Sequence, residues 1–272
     1  MTDTAALLAA YDENTRARIH EPRPAGVSYE WDGLLLRTVG GMNRGFVETP
    51  RDPGVRGAEL DALIARQRDY FAARGEAVEW KTRGHDLPED LTERLVAAGF
   101  EPEDRETVVI GEAAALATEP VLPEGVTLRQ VVEDERMAED LRRIAQTHGR
   151  VWGEDHSYLA DDLGRRIATG GDGFAVFVAE AHTPSGPDVV CAAWLALREG
   201  EDFAGLWGGS TLAEWRGRGI YKAMVARRAQ LAAQRGVKYL QVDASEDSRP
   251  ILQRLGLHAV TTTTPYVWKP TR

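Results

Sequence analysis

The sequence predicts a mixed α/β fold, α+β with a mixed sheet, made of two similar halves. Apolar residues at helical spacing alternate with short apolar runs typical of strands along the 272 residues. The order helix, strand, helix, glycine-apolar ending and strand occurs once in each half. The first copy contains ELDALIARQRDYFAARGEAVEW and LTERLVAAGF, and the second contains YKAMVARRAQLAAQRGVKYLQV and PILQRLGL. Four successive matching elements favour a tandem repeat over a chance likeness of two α/β segments.

The first half begins with a predicted helix from Asp3 to Ile19 and two strands in VSYEWDGLLLRTVGG. A long helix follows, because apolar residues recur at helical spacing and Gly75 ends the segment. This half closes with a strand AVEWKT, a helix LPEDLTERLVAAGF and a strand RETVVIG. The segment EAAALATEPVLPEG has two prolines and little periodicity. It therefore marks a boundary between predicted domains at 1–117 and 118–272.

The second half begins with the strand VTLRQV and two helices, EDERMAEDLRRIAQTHGRVW and SYLADDLGRRIATG. Two strands, FAVFVAEA and VVCAAWLALRE, follow around the turn HTPSGPD, whose residues favour a turn. The strand FAGLWGGSTL then leads through WRGRGIY into a helix that ends at Gly236. The last predicted elements are the strand KYLQVDA, the helix DSRPILQRLG and two strands, HAVTTTT and YVWK.

The composition excludes several classes of protein. With 43 acidic and 33 basic residues, the net charge of −10 disfavours nonspecific binding to nucleic acid or to an anionic membrane. It mildly favours a small cationic substrate, although solubility alone also explains it. Cys191 is the only cysteine, so no intrachain disulfide forms and a core position is expected. Neither a signal peptide nor a membrane-spanning run is recognised, which predicts a cytoplasmic protein.

The stretch WRGRGIY places three cations, Arg216, Arg218 and Lys222, at the start of a predicted helix. Each exposed cation there opposes the helix dipole by about 0.3–1 kcal/mol. The third glycine of the dinucleotide fingerprint and the Gly-Lys-Ser/Thr of a P-loop are both missing. A turn whose backbone N–H groups bind a diphosphate explains the pattern, because glycines allow close approach and a helix N-terminus favours anions. A solvated surface turn is the alternative.

WRGRGIY resembles the pyrophosphate loop of the GCN5-related N-acetyltransferases, Gln/Arg-x-x-Gly-x-Gly/Ala. Arg216 and Gly219 match this pattern, and Tyr221 departs from it. SEDSRPILQRLGL resembles the family's Asn-x-x-Ala-x-x-x-Tyr-x-x-x-Gly-Phe segment, with Gly256 and Leu257 at its end. The resemblance covers Val126 to about Lys269, and the first half is similar to a degenerate copy without the loop.

The resemblance implies a tandem pair of acyl-CoA N-acyltransferase-like domains, with acetyl-CoA as co-substrate in the second. It implies that an acyl group passes directly to an amine of a small molecule or peptide. It also implies that pantetheine lies beside the strand that contains Gly208, and that the diphosphate meets the loop. The expected coenzyme contacts are Ser210, Thr211, Leu212, Arg216, Gly217, Arg218, Gly219, Ile220, Tyr221, Ser245 and Ser248. A noncatalytic acyl-CoA-binding sensor or regulatory module is the alternative.

The side chains that the family uses for proton transfer are replaced in this sequence. Gly205 stands where many members have a catalytic Glu, and Leu252 where they have a Tyr. Asp243, at the carboxyl end of a strand, is one candidate substitute, with a structural role as the alternative. His156 and Asp155, near the family's acceptor segment, are the others. A solvent-facing histidine and a helix-capping aspartate are the alternatives for these two.

Aromatic residues are the remaining candidates for the acceptor site. Trp152, Tyr158 and Trp207 either line a pocket for the acceptor or belong to the core, which is the default explanation. Tyr266 is a further candidate acid if the last strands lie over the site. No metal site is predicted, because the spacing of Asp155, His156, Asp161 and Asp162 matches no known ligand pattern. The oligomeric state is not predicted.

Overall fold

The mixed α/β fold predicted from the sequence is confirmed by the computed structural model, which describes residues 3–19, 26–40, 44–183, 186–198 and 200–270. Eight α-helices and 12 strands lie in these ranges. The chain divides into two units. The first contains Met1–Val109, Asp243–Gln253 and His258–Arg272, and the second contains Ile110–Val242 and Arg254–Leu257. Elements that cross this division belong to the unit that holds most of their residues.

The first unit has its strands in the order β1-β2-β3-β4-β12-β6, and β5 pairs with β12. Strands β3 and β4 are parallel, whereas β1 with β2 and β12 with β4 are antiparallel. The elements are α1 (Thr4–Thr15), β1 (Ser28–Asp32), β2 (Leu35–Val39), β3 (Gly45–Glu48), α2 (Gly57–Ala73), β4 (Val78–Arg83), α3 (Leu91–Ala97), β5 (Glu101–Pro102), β6 (Glu106–Glu112), α8 (Arg249–Arg254) and β12 (His258–Trp268).

The core of the first unit is formed where α2 and α3 pack on the sheet. As the helical spacing predicts, one face of α2 is buried, and it packs with Trp80 of β4 and Leu95 of α3. This helical stripe consists of Leu60, Leu63, Ile64, Gln67 and Phe71. Gln67, the polar member of the stripe, is buried because its side-chain oxygen accepts a hydrogen bond of 2.7 Å from Arg37 Nε. Strands β3 and β5 were not predicted, since four and two residues are too few to show a period.

The end of the chain corrects one prediction. HAVTTTT and YVWK were expected as two strands, but they form the single strand β12, which continues through Pro265. Residues Thr263 to Trp268 pair with Arg83 to Val78 of β4. The chain's last strand is therefore part of the first unit's sheet. The domain boundary between residues 117 and 118 stays a prediction. Each unit of the structure contains residues from both sides of this boundary.

The second unit has its strands in the order β11-β10-β9-β8-β7. Strands β10 and β11 are parallel, and the other neighbouring pairs are antiparallel. The elements are α4 (Ala113–Leu116), β7 (Val126–Val131), α5 (Met137–Trp152), α6 (Tyr158–Gly170), β8 (Phe174–Thr183), β9 (Gly186–Ala196), β10 (Phe203–Thr211), α7 (Ile220–Gln234) and β11 (Tyr239–Ala244). Residues 184 and 185 of the predicted turn HTPSGPD lie outside the described residues.

Two apolar clusters cover the two faces of this unit's sheet. One contains Ile144 of α5 and Leu163 of α6, and the other contains Met224 of α7. Cys191 lies in the second cluster with no exposed surface, and burial raises the pKa of its thiol to about 11. Its predicted core position is confirmed. Within the described ranges, no helix has the length and apolarity required to cross a membrane.

Candidate active site

The loop before α7 exposes backbone donors. Gly217 and Gly219 have φ angles of 74° and 84°, in the left-handed region that glycine adopts at little cost. A Cβ at Gly217 has no heavy atom within 4 Å, and one at Gly219 lies 3.7 Å from the Val121 carbonyl oxygen. Gly219 is the N-cap of α7, and no side-chain hydrogen bond caps the helix among the described residues. The first N–H groups of α7 are therefore available to a ligand.

Three cations surround these donors, as the sequence predicts. Arg216, Arg218 and Lys222 are exposed, and none of them forms an ion pair with a described residue. The Arg216 Nε donates to the Thr211 carbonyl oxygen at 3.1 Å, and the Arg218 guanidinium lies 4.8 Å from the centre of the Trp215 ring. Both contacts hold the side chains near the loop and leave their charge uncompensated. The helix start therefore has the charge and the free donors of an anion site.

Strand β10 leaves its neighbour β11 before it reaches this loop. Phe203 to Gly205 pair with Tyr239 to Gln241, whereas the part of β10 beyond Gly205 has pairs with β9 only. One edge of β10 therefore presents unpaired backbone groups to a ligand that runs alongside it. Gln241, at the point of separation, has a buried Oε1 with no hydrogen-bond partner in the described part of the chain. This orphaned acceptor fits an amide of a bound ligand.

A β-bulge lies in the part of β10 that has left β11. The register with β9 shifts between Trp207, which opposes Trp194, and Ser210, which opposes Ala192. Gly208 has a φ of 62°, and a Cβ there would lie 2.1 Å from the Trp194 ring. A Cβ at Gly209 would lie 2.8 Å from Tyr221 Cε2. Both glycines are required by close packing, and the bulge bends the strand beside the opening.

A buried histidine on α5 lies next to the bulge. His148 is 4% exposed, and its Nδ1 is 3.5 Å from Ser210 Oγ, which accepts a hydrogen bond of 3.0 Å from Trp152 Nε1. Its Nε2 is buried and has no hydrogen-bond partner among the described residues. Burial lowers the pKa of His148 to about 4, with a smaller contribution from His156. The imidazole is therefore neutral at physiological pH.

His156 is the predicted catalytic residue that the structure brings into this cluster. Its ring centre lies 5.9 Å from that of His148 and 5.9 Å from that of Tyr158. Both of its nitrogens are buried without a hydrogen-bond partner in the described ranges. Two adjacent imidazoles with unused nitrogens can accept and pass a proton. Asp155, in contrast, accepts a hydrogen bond of 2.9 Å from the Ser157 backbone N–H, next to the start of α6.

Four of the predicted positions lie in the first unit, Asp243, Ser245, Ser248 and Leu252. Asp243 forms an ion pair with Lys81, and its other oxygen, Oδ1, is buried without a hydrogen-bond partner among the described residues. Ser245 and Ser248 contact each other through their hydroxyls at 3.2 Å. Leu252, at the position of the family's Tyr, is fully buried in α8. Their roles in coenzyme binding or catalysis stay predictions.

The three candidate aromatic residues of the second unit are not core residues. Trp152, Tyr158 and Trp207 are 56%, 44% and 44% exposed. The Trp207 indole folds back along its strand, since a Cβ at Gly205 would lie 2.3 Å from its Nε1. The default core assignment of these side chains is therefore wrong, and they are accessible to a ligand. Tyr266 is half-buried on β12 in the first unit.

Sequence reasoning missed His148 and Gln241. The sequence signal for His148 is its position on the apolar face of α5, with Ile144 and Ala145. A polar side chain buried there requires a hydrogen-bond partner or has a functional role. Gln241 has no such signal in the sequence. Its unpartnered Oε1 becomes evident only in the structure, where β10 and β11 separate. No group of three or more ligating side chains that suits a metal ion is found in the described ranges.

Comparison with solved structures defines the class of fold. The chain is 19% identical to a GCN5-related N-acetyltransferase from Kribbella flavida, with a TM-score of 0.66, over 100% of this chain and 97% of that one. It is 14% identical to a tandem GNAT protein from the clavulanic acid biosynthesis pathway, solved without AcCoA (TM-score 0.63, 99% of this chain and 95% of that one).

A GCN5-related N-acetyltransferase from Sphaerobacter thermophilus is 16% identical, with a TM-score of 0.61, over 88% of this chain and 82% of that one. No family model and no curated protein matches the sequence. The chain therefore has the fold of the GCN5-related N-acetyltransferases, as the sequence motifs predicted.

Proposed function

We propose that the protein is an acetyl-CoA-dependent N-acetyltransferase whose active copy is the second half. The observation that carries this proposal is the open edge of β10, which continues into an uncapped helix start with three free cations. An extended chain fits the first feature and a diphosphate fits the second. Acyl-coenzyme A has these two parts in this order, and its thioester supplies an already activated acyl group.

The described residues fit such a ligand. The backbone of Gly208 to Leu212 runs beside the pantetheine arm, where Gln241 Oε1 accepts a hydrogen bond from one of its amides. The N–H groups from Gly217 to Tyr221 bind the diphosphate, and Arg216 and Arg218 add charge. Ser210, Thr211 and Ile220 of the predicted set belong to these same two segments.

The reaction requires a neutral amine, because an ammonium group has no lone pair with which to attack. An unperturbed lysine-like amine has a pKa of about 10.4, so the protein must take up a proton. We assign this role to His156, with the buried imidazole of His148 beside it. The amine nitrogen forms a bond to the thioester carbonyl carbon, the C–S bond breaks, and the proton from nitrogen passes to His156.

The departing thiolate needs a proton in return. Tyr221 lies against Gly209 in the bulge, and burial raises the pKa of its hydroxyl, so the phenol is protonated at neutral pH. We assign the donor role to Tyr221 in place of the family's Tyr, whose position holds Leu252. The exposed rings of Trp152, Tyr158 and Trp207 contact the acceptor, a small-molecule or peptide amine.

The second candidate function is a noncatalytic acyl-CoA-binding sensor. Gly205 and Leu252, at the positions of the family's usual proton-transfer residues, favour it. The two functions differ in turnover and share coenzyme binding. The interpretation of the protein as cytoplasmic applies to either function and remains part of the proposal.

Measurement of thiol release from acetyl-CoA in the presence of a panel of amines distinguishes the N-acetyltransferase from the noncatalytic sensor. We expect acceptor-dependent thiol release by the wild-type protein and a fall of about 100-fold in His156→Gln, the lower end of the range for general-base catalysis. The control, His182→Gln, changes an exposed histidine of the same unit and should retain full activity. Tight binding of acetyl-CoA without turnover of any amine would establish the sensor instead.

A further inference from the structure

We propose that Arg228 is a positioning residue that polarises the peptide group of the β10 bulge, so that its N–H binds the thioester carbonyl oxygen. This inference rests on the proposed function, and it assigns a role to a side chain outside the loop and the histidine pair. Arg228 lies in the third turn of α7, on the side that faces the sheet.

The burial of Arg228 is unusual for a cation. Its side chain is 1% exposed, and no carboxylate of a described residue forms an ion pair with it. An isolated buried charge is costly, and an apolar side chain of similar volume often gives equal or better stability at such a site. Stability alone therefore does not explain an arginine at this position.

The hydrogen bonds of Arg228 converge on the bulge. Its Nε donates to the Met224 carbonyl oxygen of its own helix at 3.1 Å, which fixes the direction of the guanidinium. Its Nη1 donates to the carbonyl oxygens of Trp194, at 3.2 Å, and of Trp207, at 3.4 Å. Trp194 and Trp207 oppose each other in the last register position before the shift. The guanidinium thus ties β9 and β10 together where the bulge begins.

The Trp207 carbonyl and the Gly208 N–H belong to one planar peptide group. A cationic donor on the carbonyl oxygen draws electrons through this group and makes its N–H a stronger donor. Gly208 and Gly209 have no partner in the register with β9, so the bulge takes their backbone out of the ladder. Ser210 and His148 lie directly beside it, where the amine attacks.

An N–H held at this place can bind the thioester carbonyl oxygen as negative charge develops on it during attack. Preorganised donors of this kind account for a large share of many enzymes' rate enhancement. Arg228 does not touch the substrate in this arrangement. It strengthens a donor that does, and it fixes the position of that donor through two strands.

Infrared spectroscopy of the bound thioester tests the inference without the acceptor. Acetyl-CoA labelled with carbon-13 at the carbonyl is bound to the wild type, Arg228→Met, Arg228→Lys and a control, Arg227→Met. Arg227 is the half-buried neighbour on α7, with contacts to Gln230 and the Phe177 ring. We expect the carbonyl band to shift to lower frequency on binding to the wild type and to Arg227→Met. The shift should be largely lost in Arg228→Met and partly lost in Arg228→Lys.

Calorimetry on the same variants gives the second readout. We expect affinities for acetyl-CoA within about two-fold of wild type, with kcat lowered about ten-fold in Arg228→Met, less than the loss on removing an oxyanion donor outright. If the carbonyl band of bound acetyl-CoA has the same frequency in the wild type and in Arg228→Met, the inference is overturned. If Arg228→Met does not fold, a carbonyl band in Arg228→Lys at the wild-type frequency also overturns the inference. Failure of the wild type to bind acetyl-CoA contradicts the proposed function instead.

Discussion

The loops that precede α2 and α7 have similar parts and different charge balance. Each connects a strand to a long helix, and each contains arginines and glycines with positive φ. Before α7, the guanidinium groups of Arg216 and Arg218 have no carboxylate partner among the described residues. Before α2, Arg56 forms an ion pair of 2.7 Å with Asp52, which also accepts a hydrogen bond of 2.8 Å from the Gly54 N–H.

The difference shows that arginine and glycine at a helix start do not by themselves make an anion site. Asp52 already occupies the donors of its own loop. Hydrogen bonds from Arg56 and then from the Gly54 N–H lower its pKa to about 2, so it is ionised at any physiological pH. The loop before α7 contains one carboxylate, Glu214, which pairs with Arg150 of α5 at 2.9 Å and with none of the loop's cations. The donors at the start of α7 are therefore available to an external anion.

The two loops are compared in the complete chain, because the first unit includes Asp243–Gln253 and His258–Arg272 from the second half of the sequence. Removal of residues 258–272 deletes β12, the partner of β4 from Val78 to Arg83, and exposes the apolar face beneath it. We expect loss of the cooperative thermal transition of the first unit, measured by circular dichroism and calorimetry. Removal of residues 271 and 272 alone, which spares β12, should leave the transition intact. A shortened chain with an unchanged transition would show that the halves fold separately.

Charge reversal tests whether the free cations distinguish the two loops. The double variant Arg216→Glu/Arg218→Glu should lower the affinity for coenzyme A by about 100-fold or more, because two charge-assisted hydrogen bonds are each replaced by repulsion. The matched variant Arg56→Glu should change the affinity by less than about two-fold. Equal losses in the two loops, measured by isothermal titration calorimetry, would remove the distinction.

The buried histidine of α5, His148, predicts a pH dependence of stability. Folding lowers the pKa of His148 from 6.5 to about 4, so the unfolded chain binds more protons between these values. Its contribution is complete above pH 6.5 and is lost as the pH falls towards 4, by about 3 kcal/mol. Urea titrations of His148→Gln should therefore show a smaller slope of stability against pH in this window. His182→Gln should keep the wild-type slope, and an unchanged slope in His148→Gln would place the histidine in solvent.

The smallest effect is expected when the internal anion of the first loop is removed. Asp52→Asn releases Arg56 and the Gly54 N–H, so inorganic diphosphate should shift the amide resonances of Gly54 and Gly57 weakly. Affinity for coenzyme A should not rise, because Pro53 lacks an N–H and the loop offers fewer donors. The same resonances in the wild type should not respond. A response of equal size in both proteins would show that Asp52 does not occupy this loop.

Periodicity predicted most of the fold, because ten or more residues at helical spacing or an isolated apolar run leave a clear pattern. It failed at β3 and β5, which are too short, and at β12, a single strand through Pro265 where two strands were expected. The pairing of β12 with β4 joins residues about 180 positions apart, and no local signal encodes it.

The site was predicted unevenly. The loop before α7 was proposed as an anion site from its charges, since cations at a helix start oppose the helix dipole. Three residues were not predicted, His148, Gln241 and Arg228. The unusual feature of each is visible only in the structure. Among the described residues, a buried atom of His148 and of Gln241 has no hydrogen-bond partner, and the buried guanidinium of Arg228 has no ion-pair partner. Burial of this kind depends on neighbouring strands and helices, which the linear sequence does not specify.

We propose that coenzyme A binds at the loop before α7 and not at the loop before α2, and one titration distinguishes these two sites. Coenzyme A is titrated calorimetrically into the wild type, Gly219→Asp and Gly54→Asp. Both glycines have positive φ, 84° and 78°, and a Cβ at either position would meet no heavy atom closer than 3.7 Å, so the added carboxylate is the main change. We expect equal binding to the wild type and Gly54→Asp and no detectable binding to Gly219→Asp. Equal binding to all three proteins, or none to the wild type, would contradict the claim.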